Sequence, residues 1–222
     1  MFFPIGDDNV KGRSKPIFTY LLIIFNCYIF WQQLQLNPEQ MENFFYEYGA
    51  VPSFIWNGQN LHTLVTSMFL HGGWMHLIGN MIFLWIFADN IEVTIGSFRF
   101  LLFYLAGGVV AALVHCFVLQ GSTIPCIGAS GAISATLGAY LVMFPSSRIR
   151  VLFIFFSFRV SAFAFLGFYI VQQVLAGWES LELKVAETTG VGYWAHIGGF
   201  GYGFLRGWFM RKYLRKERGL IY

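Results

Sequence analysis

The chain has 222 residues, of which 57% are hydrophobic and 11% charged, with a formal net charge of +3. Soluble domains carry about 25% charged residues, so this composition excludes a water-packed globular enzyme and indicates a membrane protein. Three cysteines, Cys27, Cys116 and Cys126, predict neither a disulfide framework nor a metal cluster.

Six apolar stretches long enough to span a bilayer follow one another along the chain. They cover residues 17–34, 74–91, 98–119, 127–144, 161–178 and 191–210. Pro145 ends the fourth stretch because its ring cannot continue a helix. The sequence therefore predicts an all-α membrane protein with a six-helix bundle at 17–210. A cytoplasmic tail is predicted at 1–16, and a basic cytoplasmic tail at 211–222.

The longest connection, residues 37–73, is rich in aromatic side chains rather than plainly polar. Aromatic residues favour the membrane–water interface. We therefore expect this outer loop to form short amphipathic helices that are partly embedded in the membrane.

The basic residues predict the orientation of the bundle, because cytoplasmic loops carry an excess of Lys and Arg. With six helices and the N-terminus inside, all of the 14 Lys and Arg residues except Lys184 fall on the cytoplasmic side. The sequence therefore predicts a multi-pass protein of the plasma (inner) membrane with both termini in the cytoplasm.

Ser130 stands out in the fourth stretch, where it lies between Gly128 and Gly131. From Ser130 to the end of this stretch the helix would be about 22 Å long, shorter than the hydrocarbon core of about 30 Å. Irregular backbone at that depth requires surrounding protein or water, which predicts a hydrated pit with Ser130 at its floor. The N–H groups at a helix start could stabilise an oxyanion, and the two glycines permit a tight turn and close approach of a substrate.

His196, in the sixth stretch, shares one helical face with Gly199, Gly203 and Gly207. The fourth stretch offers small residues at the same spacing, namely Gly131, Ala135 and Ala139. Packing these two faces would bring the hydroxyl of Ser130 to the imidazole, as in a nucleophile with its base. The alternative is that both stripes serve only helix packing.

A second polar cluster opens the second stretch. His76 and Asn80 lie four residues apart and thus on one helical face, whereas His71 lies five residues before His76, a poor spacing for paired metal ligands. Asn80 needs a hydrogen-bond partner in its apolar setting, either in a neighbouring helix or, together with His76, as a donor to the oxyanion. Gln172 and Gln173 of the fifth stretch are predicted to be interhelical or interfacial groups.

In these residues the chain resembles the rhomboid family of intramembrane serine proteases, over about residues 48–207. The stretches that carry the resemblance are residues 49–52, the His71…His76…Asn80 block, Glu92 to Gly96, Gly128-Ala129-Ser130-Gly131, and Ala195-His196 with Gly199 and Gly203. The GxSG motif alone is weakly specific, whereas the ordered set on helices two, four and six is very specific.

The resemblance implies that Ser130 is a nucleophile and His196 its general base, without a third carboxylate. It also implies an oxyanion hole made by His76, Asn80 and the backbone N–H of Ser130. The supporting positions would be Gly128, Gly131, His71, Gly199 and Gly203. The implied protein needs no cofactor or metal, binds no nucleic acid, and cleaves transmembrane segments of other proteins near the outer face.

The resemblance further implies that the fifth helix and the loop after it, up to about residue 191, gate the entry of substrate. One departure is a Trp-Arg pair that many members have in the first loop, where this chain has His62 and Thr63. That difference bears on the rigidity of the loop.

The sequence also bears on alternative functions. A catalytically inactive relative that binds or escorts membrane helices would typically lack the serine or the histidine. A channel or transporter would need polar residues through both leaflets. The chain contains no His-Glu-x-x-His zinc motif. Ala132 breaks the GxSxG pattern of soluble hydrolases.

Overall fold

The structure, a computed structural model, describes residues 2–8, 15–182 and 191–218. Helices dominate, and each of the six predicted apolar stretches contains one. The elements in chain order are β1 (Phe2–Asp7), α1 (Ile17–Gln33), α2 (Pro38–Tyr48), α3 (Pro52–Trp56), α4 (Thr63–Thr66), a 3-10 turn (Ser67–Phe69), α5 (Trp74–Ile95), α6 (Ser97–Val118), α7 (Ser130–Met143), β2 (Arg148–Phe153), β3 (Phe156–Ser161), α8 (Ala162–Glu182) and α9 (Tyr193–Arg218).

Several boundaries differ from the predicted ones. Helix α5 runs four residues beyond the predicted end at residue 91, and α9 continues through most of the basic segment predicted as a tail. Glu92 is consequently inside α5, where its buried carboxylate accepts hydrogen bonds from the N–H groups of Phe18 and Thr19. It thus caps the start of α1, whose first N–H groups have no partners within the helix.

Two of the described helices, α5 and α6, are both long enough and apolar enough to cross a membrane. Helices α1 and α7 are apolar but shorter. Helix α7, with 14 residues, is about 21 Å long and begins at Ser130, the residue at which the sequence predicted the short helix to start.

The prediction of an all-α fold was wrong in one region. Strands β1, β2 and β3 form an antiparallel sheet in that order, at the end of α7 that lies away from Ser130. Residues 2–7 are therefore part of the fold, although the sequence predicted a tail at 1–16. The alternation of apolar and polar residues in Arg148–Phe153 suits a strand with one buried face, and its short length concealed it between two apolar helices.

The sheet is fixed to the helices by Asp7 at the end of β1. The carboxylate of Asp7 accepts hydrogen bonds from the hydroxyl of Tyr140 in α7 and, at 2.9 Å, from Nδ2 of Asn90 in α5. Burial raises the pKa of Asp7 to about 6, because the charged form is disfavoured away from water. These bonds tie the N-terminal strand to two helices of the bundle.

Helices α7 and α9 pack against each other along the two predicted stripes of small residues. A Cβ on Gly199 would collide with the carbonyl oxygen of Gly131, and a Cβ on Gly203 with that of Ala135. Further along, a Cβ on Gly207 would come within 2.7 Å of the Cα of Ala139. The absence of side chains at these glycines lets the two backbones touch, and this predicted packing is confirmed.

Replacing Gly203 by alanine should therefore destabilise the protein by about 1–3 kcal/mol, since the methyl group would force two backbones apart. The matched control is Gly201→Ala in the same helix, where an added Cβ meets nothing within 4 Å. The measurement is the midpoint of unfolding in denaturing detergent. Equal midpoints for the two variants would contradict the close packing of α7 on α9.

The loop 37–73 contains the short helices that were predicted for it, and two of its contacts hold the chain before Ser130. Ala50 and Cys126 form a two-way backbone bridge with N···O distances of 3.0 and 2.9 Å, and the N–H of Gly128 donates to the carbonyl of Ser67 at 2.9 Å. These hydrogen bonds thus hold the segment that leads into α7 against the loop.

At the two positions where the resemblance implies a Trp-Arg pair, Thr63 is buried and donates to the carbonyl of Asn60, while Nε2 of His62 lies 3.3 Å from the carbonyl oxygen of Glu47. His62 and Thr63 are therefore held by contacts with nearby backbone carbonyls.

Candidate active site

Ser130 is the first residue of α7, and no side chain caps this end of the helix. The first N–H groups of a helix have no partners within it, and here no side chain takes their place. The preceding Gly128 has a φ of +123°, a conformation that a residue with a side chain rarely adopts. The chain can therefore turn sharply into α7 and leave the hydroxyl and backbone N–H of Ser130 at a helix start.

The structure brings Ser130 and His196 together. Oγ of Ser130 lies 2.7 Å from Nε2 of His196 in α9, within hydrogen-bond range. Both residues are partly exposed. The close packing of α7 on α9 fixes this geometry. Gly131 follows Ser130 in α7, Gly199 lies about one turn after His196 in α9, and the backbones touch at these two glycines.

Helix α8 supplies two further side chains to His196 that the sequence did not single out for this role. Nδ1 of His196 lies 2.7 Å from Oε1 of Gln173, and the ring of Tyr169 lies beside the imidazole with a centroid distance of 6.5 Å. The hydroxyl of Tyr169 is in turn 2.6 Å from Oγ of Ser134 in α7. The available signal was their i, i+4 spacing, which puts both on one face of α8.

The contact with Gln173 determines which nitrogen of His196 carries the proton. An amide oxygen can only accept a hydrogen bond, so Nδ1 of His196 must donate to it. In the neutral ring Nε2 is then an acceptor, directed at the hydroxyl of Ser130. This is the tautomer that a general base needs.

His76 and Asn80 converge on the backbone just before Ser130. A Cβ on Gly128 would lie 2.7 Å from Nε2 of His76 and 3.7 Å from Nδ2 of Asn80. The N–H of Gly72 donates to Nδ1 of His76 at 3.3 Å, so the proton of the neutral ring is on Nε2. Nδ2 of Asn80 is buried and has no hydrogen-bond partner among the described residues. Two donors thus lie beside Gly128.

His71 does not reach the serine–histidine pair but packs on His76, with ring centroids 5.1 Å apart in an edge-to-face arrangement. Gln33 of α1 holds its backbone by two hydrogen bonds, of 3.0 Å from the N–H and 2.9 Å to the carbonyl oxygen. Burial, with a smaller contribution from His76, lowers the pKa of His71 to about 3. The neutral ring is therefore a support for His76.

An apolar cavity of about 710 Å³ lies between α5, the β2–β3 hairpin and α8. Tyr169 belongs both to this cavity and to the surroundings of His196. The gate predicted at the fifth helix falls on α8, and part of the loop predicted with it, residues 183–190, lies outside the described residues. Among the described residues, no group of three or more His, Cys, Asp or Glu side chains could hold a metal ion.

The fold and this site define a helical protein with a serine–histidine pair held between three helices. The family model described as "Rhomboid domain" matches residues 58–213, which include Ser130, His196, His76 and Asn80. The chain belongs to the rhomboid family, as its resemblance predicted, and it is accordingly a membrane protein.

Three relatives illustrate the range of the family. The chain is 36% identical over 140 residues (63% of this chain) to Rhomboid protease GluP of Bacillus subtilis and 28% identical over 165 residues (70%) to the mitochondrial Rhomboid protein 1 of Saccharomyces cerevisiae. It is 26% identical over 219 residues to the chloroplastic Rhomboid-like protein 11 of Arabidopsis thaliana, covering 93% of this chain and 71% of that one. The matches cover 27% of the first relative and 44% of the second, so this chain spans less than half the length of either.

Proposed function

We propose that this protein is an intramembrane serine endopeptidase that cleaves transmembrane segments of other membrane proteins by a Ser130–His196 dyad. The observation that carries the proposal is the 2.7 Å contact between Oγ of Ser130 and Nε2 of His196. A nucleophile and base at this distance are the signature of covalent acyl transfer.

In the first half of the reaction, Oγ of Ser130 attacks the carbonyl carbon of the scissile peptide while Nε2 of His196 accepts the hydroxyl proton. The carbonyl oxygen becomes an oxyanion, which the N–H of Ser130, Nε2–H of His76 and Nδ2–H of Asn80 stabilise. The C–N bond then breaks, His196 gives its proton to the departing amine, and an acyl-enzyme remains.

In the second half, a water molecule attacks the acyl carbon and gives a proton to Nε2 of His196. The tetrahedral oxyanion forms again in the same hole. Its collapse breaks the bond to Oγ of Ser130, which regains its proton from His196, and a carboxylic acid is released. Both residues are partly exposed, which is compatible with the entry of water from the predicted outer face.

Gln173 is a positioning residue in this mechanism. Its Oε1 keeps the proton of His196 on Nδ1 and orients the ring, as the second partner of an imidazole ligand or base does elsewhere. Since Gln173 belongs to α8, the helix to which the resemblance assigns substrate gating, a shift of α8 would also disturb the base.

Replacing Gln173 by leucine should lower kcat by about 10–100-fold, with KM little changed, because only the orientation of the base is lost. Gln173→Glu keeps an acceptor oxygen and should restore most of the rate. The matched control is Gln172→Leu, on the neighbouring exposed residue. Equal kinetics for the two leucine variants would remove Gln173 from the mechanism.

The alternative is a catalytically inactive family member that binds or escorts membrane helices. The presence of both dyad residues in hydrogen-bond contact favours the protease. The test is incubation of the purified protein in liposomes with a labelled single-span membrane protein. An endopeptidase yields two fragments, whereas an escort protein binds the labelled protein and leaves it intact.

We further propose that α1, α5, α6, α7, α8 and α9 form a six-helix bundle across the plasma (inner) membrane, within a protease domain at 17–210. Both termini would face the cytoplasm, with Ser130 near the outer face and the 37–73 loop partly embedded in the outer leaflet. The distribution of Lys and Arg residues supports this orientation. Reaction of single introduced cysteines with a membrane-impermeant reagent would test it.

A further inference from the structure

The β2–β3 hairpin has one arginine face and one apolar face. Arg150 is paired with Arg159, and Val151 with Phe158, and successive residues of a strand point to opposite sides of a sheet. The polar face carries three exposed arginines: Arg148, Arg150 and Arg159. One of them, Arg159, lies 3.9 Å from Asp8.

The apolar face is buried at its base and exposed at its tip. Ile149 and Val151 are buried in the main hydrophobic core. On the same face, Phe156 at the far end of the hairpin is 75% exposed. The hairpin thus extends an apolar surface beyond the helices that cover its base.

The tip itself is apolar where a hairpin turn in water would be polar. Ile154 and Phe155 form the two-residue turn and are 62% and 89% exposed. Ile154 has a φ of +55°, a backbone conformation for which two-residue turns favour glycine or asparagine. A β-branched residue is strained there, so turn formation does not explain the isoleucine. A contact outside the chain would explain it.

The helix that follows the hairpin indicates what such a contact would be. Helix α8 follows β3 directly at the base of the hairpin, and its first turn exposes Phe163 to 68%. Since the chain is a membrane protein, exposed apolar side chains of its helices face lipid. The apolar face of the hairpin borders the same helix, because its Phe158 lines one cavity with Phe165 and Phe168 of α8, and the arginines are on the opposite face of the sheet. Along the hairpin, the apolar tip lies beyond the arginines. In the same way, the acyl chains of a leaflet lie beyond its anionic headgroups.

We propose that the β2–β3 hairpin is a membrane anchor, whose tip at 153–156 inserts into the leaflet at the end of the bundle away from Ser130. Its arginine face binds anionic lipid headgroups. The anchor holds the start of α8 at a fixed depth in the membrane. This inference does not depend on peptidase activity.

The test uses a fluorescent label on a single cysteine, in protein whose Cys27, Cys116 and Cys126 are replaced by alanine and whose helix content is checked by circular dichroism. One variant carries the label at Phe155→Cys and its matched control at Ser157→Cys, on the arginine face of the same hairpin. Both are reconstituted in vesicles of phosphatidylcholine and phosphatidylglycerol. Quenching is measured with nitroxide-labelled lipid and with iodide in the water.

The label at 155 should be quenched by the lipid at least about twofold more strongly than the label at 157, because an inserted apolar tip lies about 5–10 Å below the headgroups. Iodide should show the reverse order. Equal quenching at both positions would overturn the proposal. So would protection at 155 from both quenchers with cross-linking to a second copy, which would make the tip a protein interface.

Two further variants separate insertion of the tip from insertion of the label. With the label at Phe156→Cys, the added changes Ile154→Gly and Phe155→Ser favour the turn but remove its apolar side chains, and lipid quenching should fall to the level at 157. With the label at 155, lipid quenching should be stronger in vesicles with phosphatidylglycerol than in vesicles without it. Replacing Arg148 and Arg150 by glutamine should abolish this difference. Unchanged quenching in the first variant would overturn the anchor, and an unchanged lipid dependence in the second would overturn the headgroup contact.

Discussion

Ser130→Ala and His196→Ala should each lower the rate of cleavage of a single-span substrate in liposomes by at least about 1,000-fold. The two residues act as one unit, so removal of either member abolishes covalent attack, and the double variant should be no slower than either single one. The contact of 2.7 Å between Oγ and Nε2 is the reason for expecting this non-additivity.

A suitable control for the serine is Ser134→Ala, one turn further along α7. Ser134 is buried and bonded to the hydroxyl of Tyr169, so this variant removes a hydroxyl from the same helix without touching the pair. It should keep at least about a tenth of the rate, as expected for loss of one neutral hydrogen bond. Full activity of Ser130→Ala, or a second, additive loss in the double variant, would contradict the dyad.

Asn80→Ala and His76→Ala should each lower kcat by about 10–1,000-fold, the range around the loss of one oxyanion-hole donor. Nδ2 of Asn80 is buried without a partner among the described residues. A buried donor left unpaired disfavours the free protein, and an oxyanion in the transition state would satisfy it. KM should change little, because the interaction strengthens only when negative charge develops.

Asn26 in α1 offers the matched control for a buried amide. It is fully buried, and its Nδ2 donates to the carbonyl of Leu22 within its own helix. Asn26→Ala should affect stability but leave kcat unchanged. If Asn80→Ala behaved in the same way, Asn80 would be a structural residue and the oxyanion hole would have to be built without it.

The pairing of Ser130 with His196 could be predicted because two features of the sequence indicate it. The small residues of α7 and α9 recur at the same spacing, and each polar residue lies at the corresponding end of its stripe. Such a pattern defines both the contact face and the register of two helices. The structure has this packing, with Gly199 and Gly203 against Gly131 and Ala135.

The contact of Gln173 with His196 could not be predicted, because α8 is apolar on most of its surface and its rotation is set by packing rather than by an amphipathic pattern. Without that rotation, Gln173 is only one of several polar groups in an apolar helix. Its partner is 23 residues away in sequence, and only the packed helices reveal the contact.

The sheet was missed for a related reason. Strand β1 pairs with β2 across most of the chain, Phe3 opposite Leu152 and Asp7 opposite Ile149. Sequence periodicity identifies neighbours along one element but not partners so far apart. The turn at Ile154 and Phe155 also lacks the glycine or asparagine that marks most two-residue hairpins, which hid the connection between β2 and β3.

The most direct test of the central claim, that His196 activates Ser130 as a nucleophile, is covalent labelling with a fluorophosphonate, a reagent that modifies activated serine hydroxyls. Intact-mass measurement of the protein in liposomes should show one adduct, and peptide mapping should assign it to Ser130. The adduct should be lost in His196→Ala and retained in Ser134→Ala. An adduct on another serine, or equal labelling of Ser130 in protein with and without His196, would contradict the account.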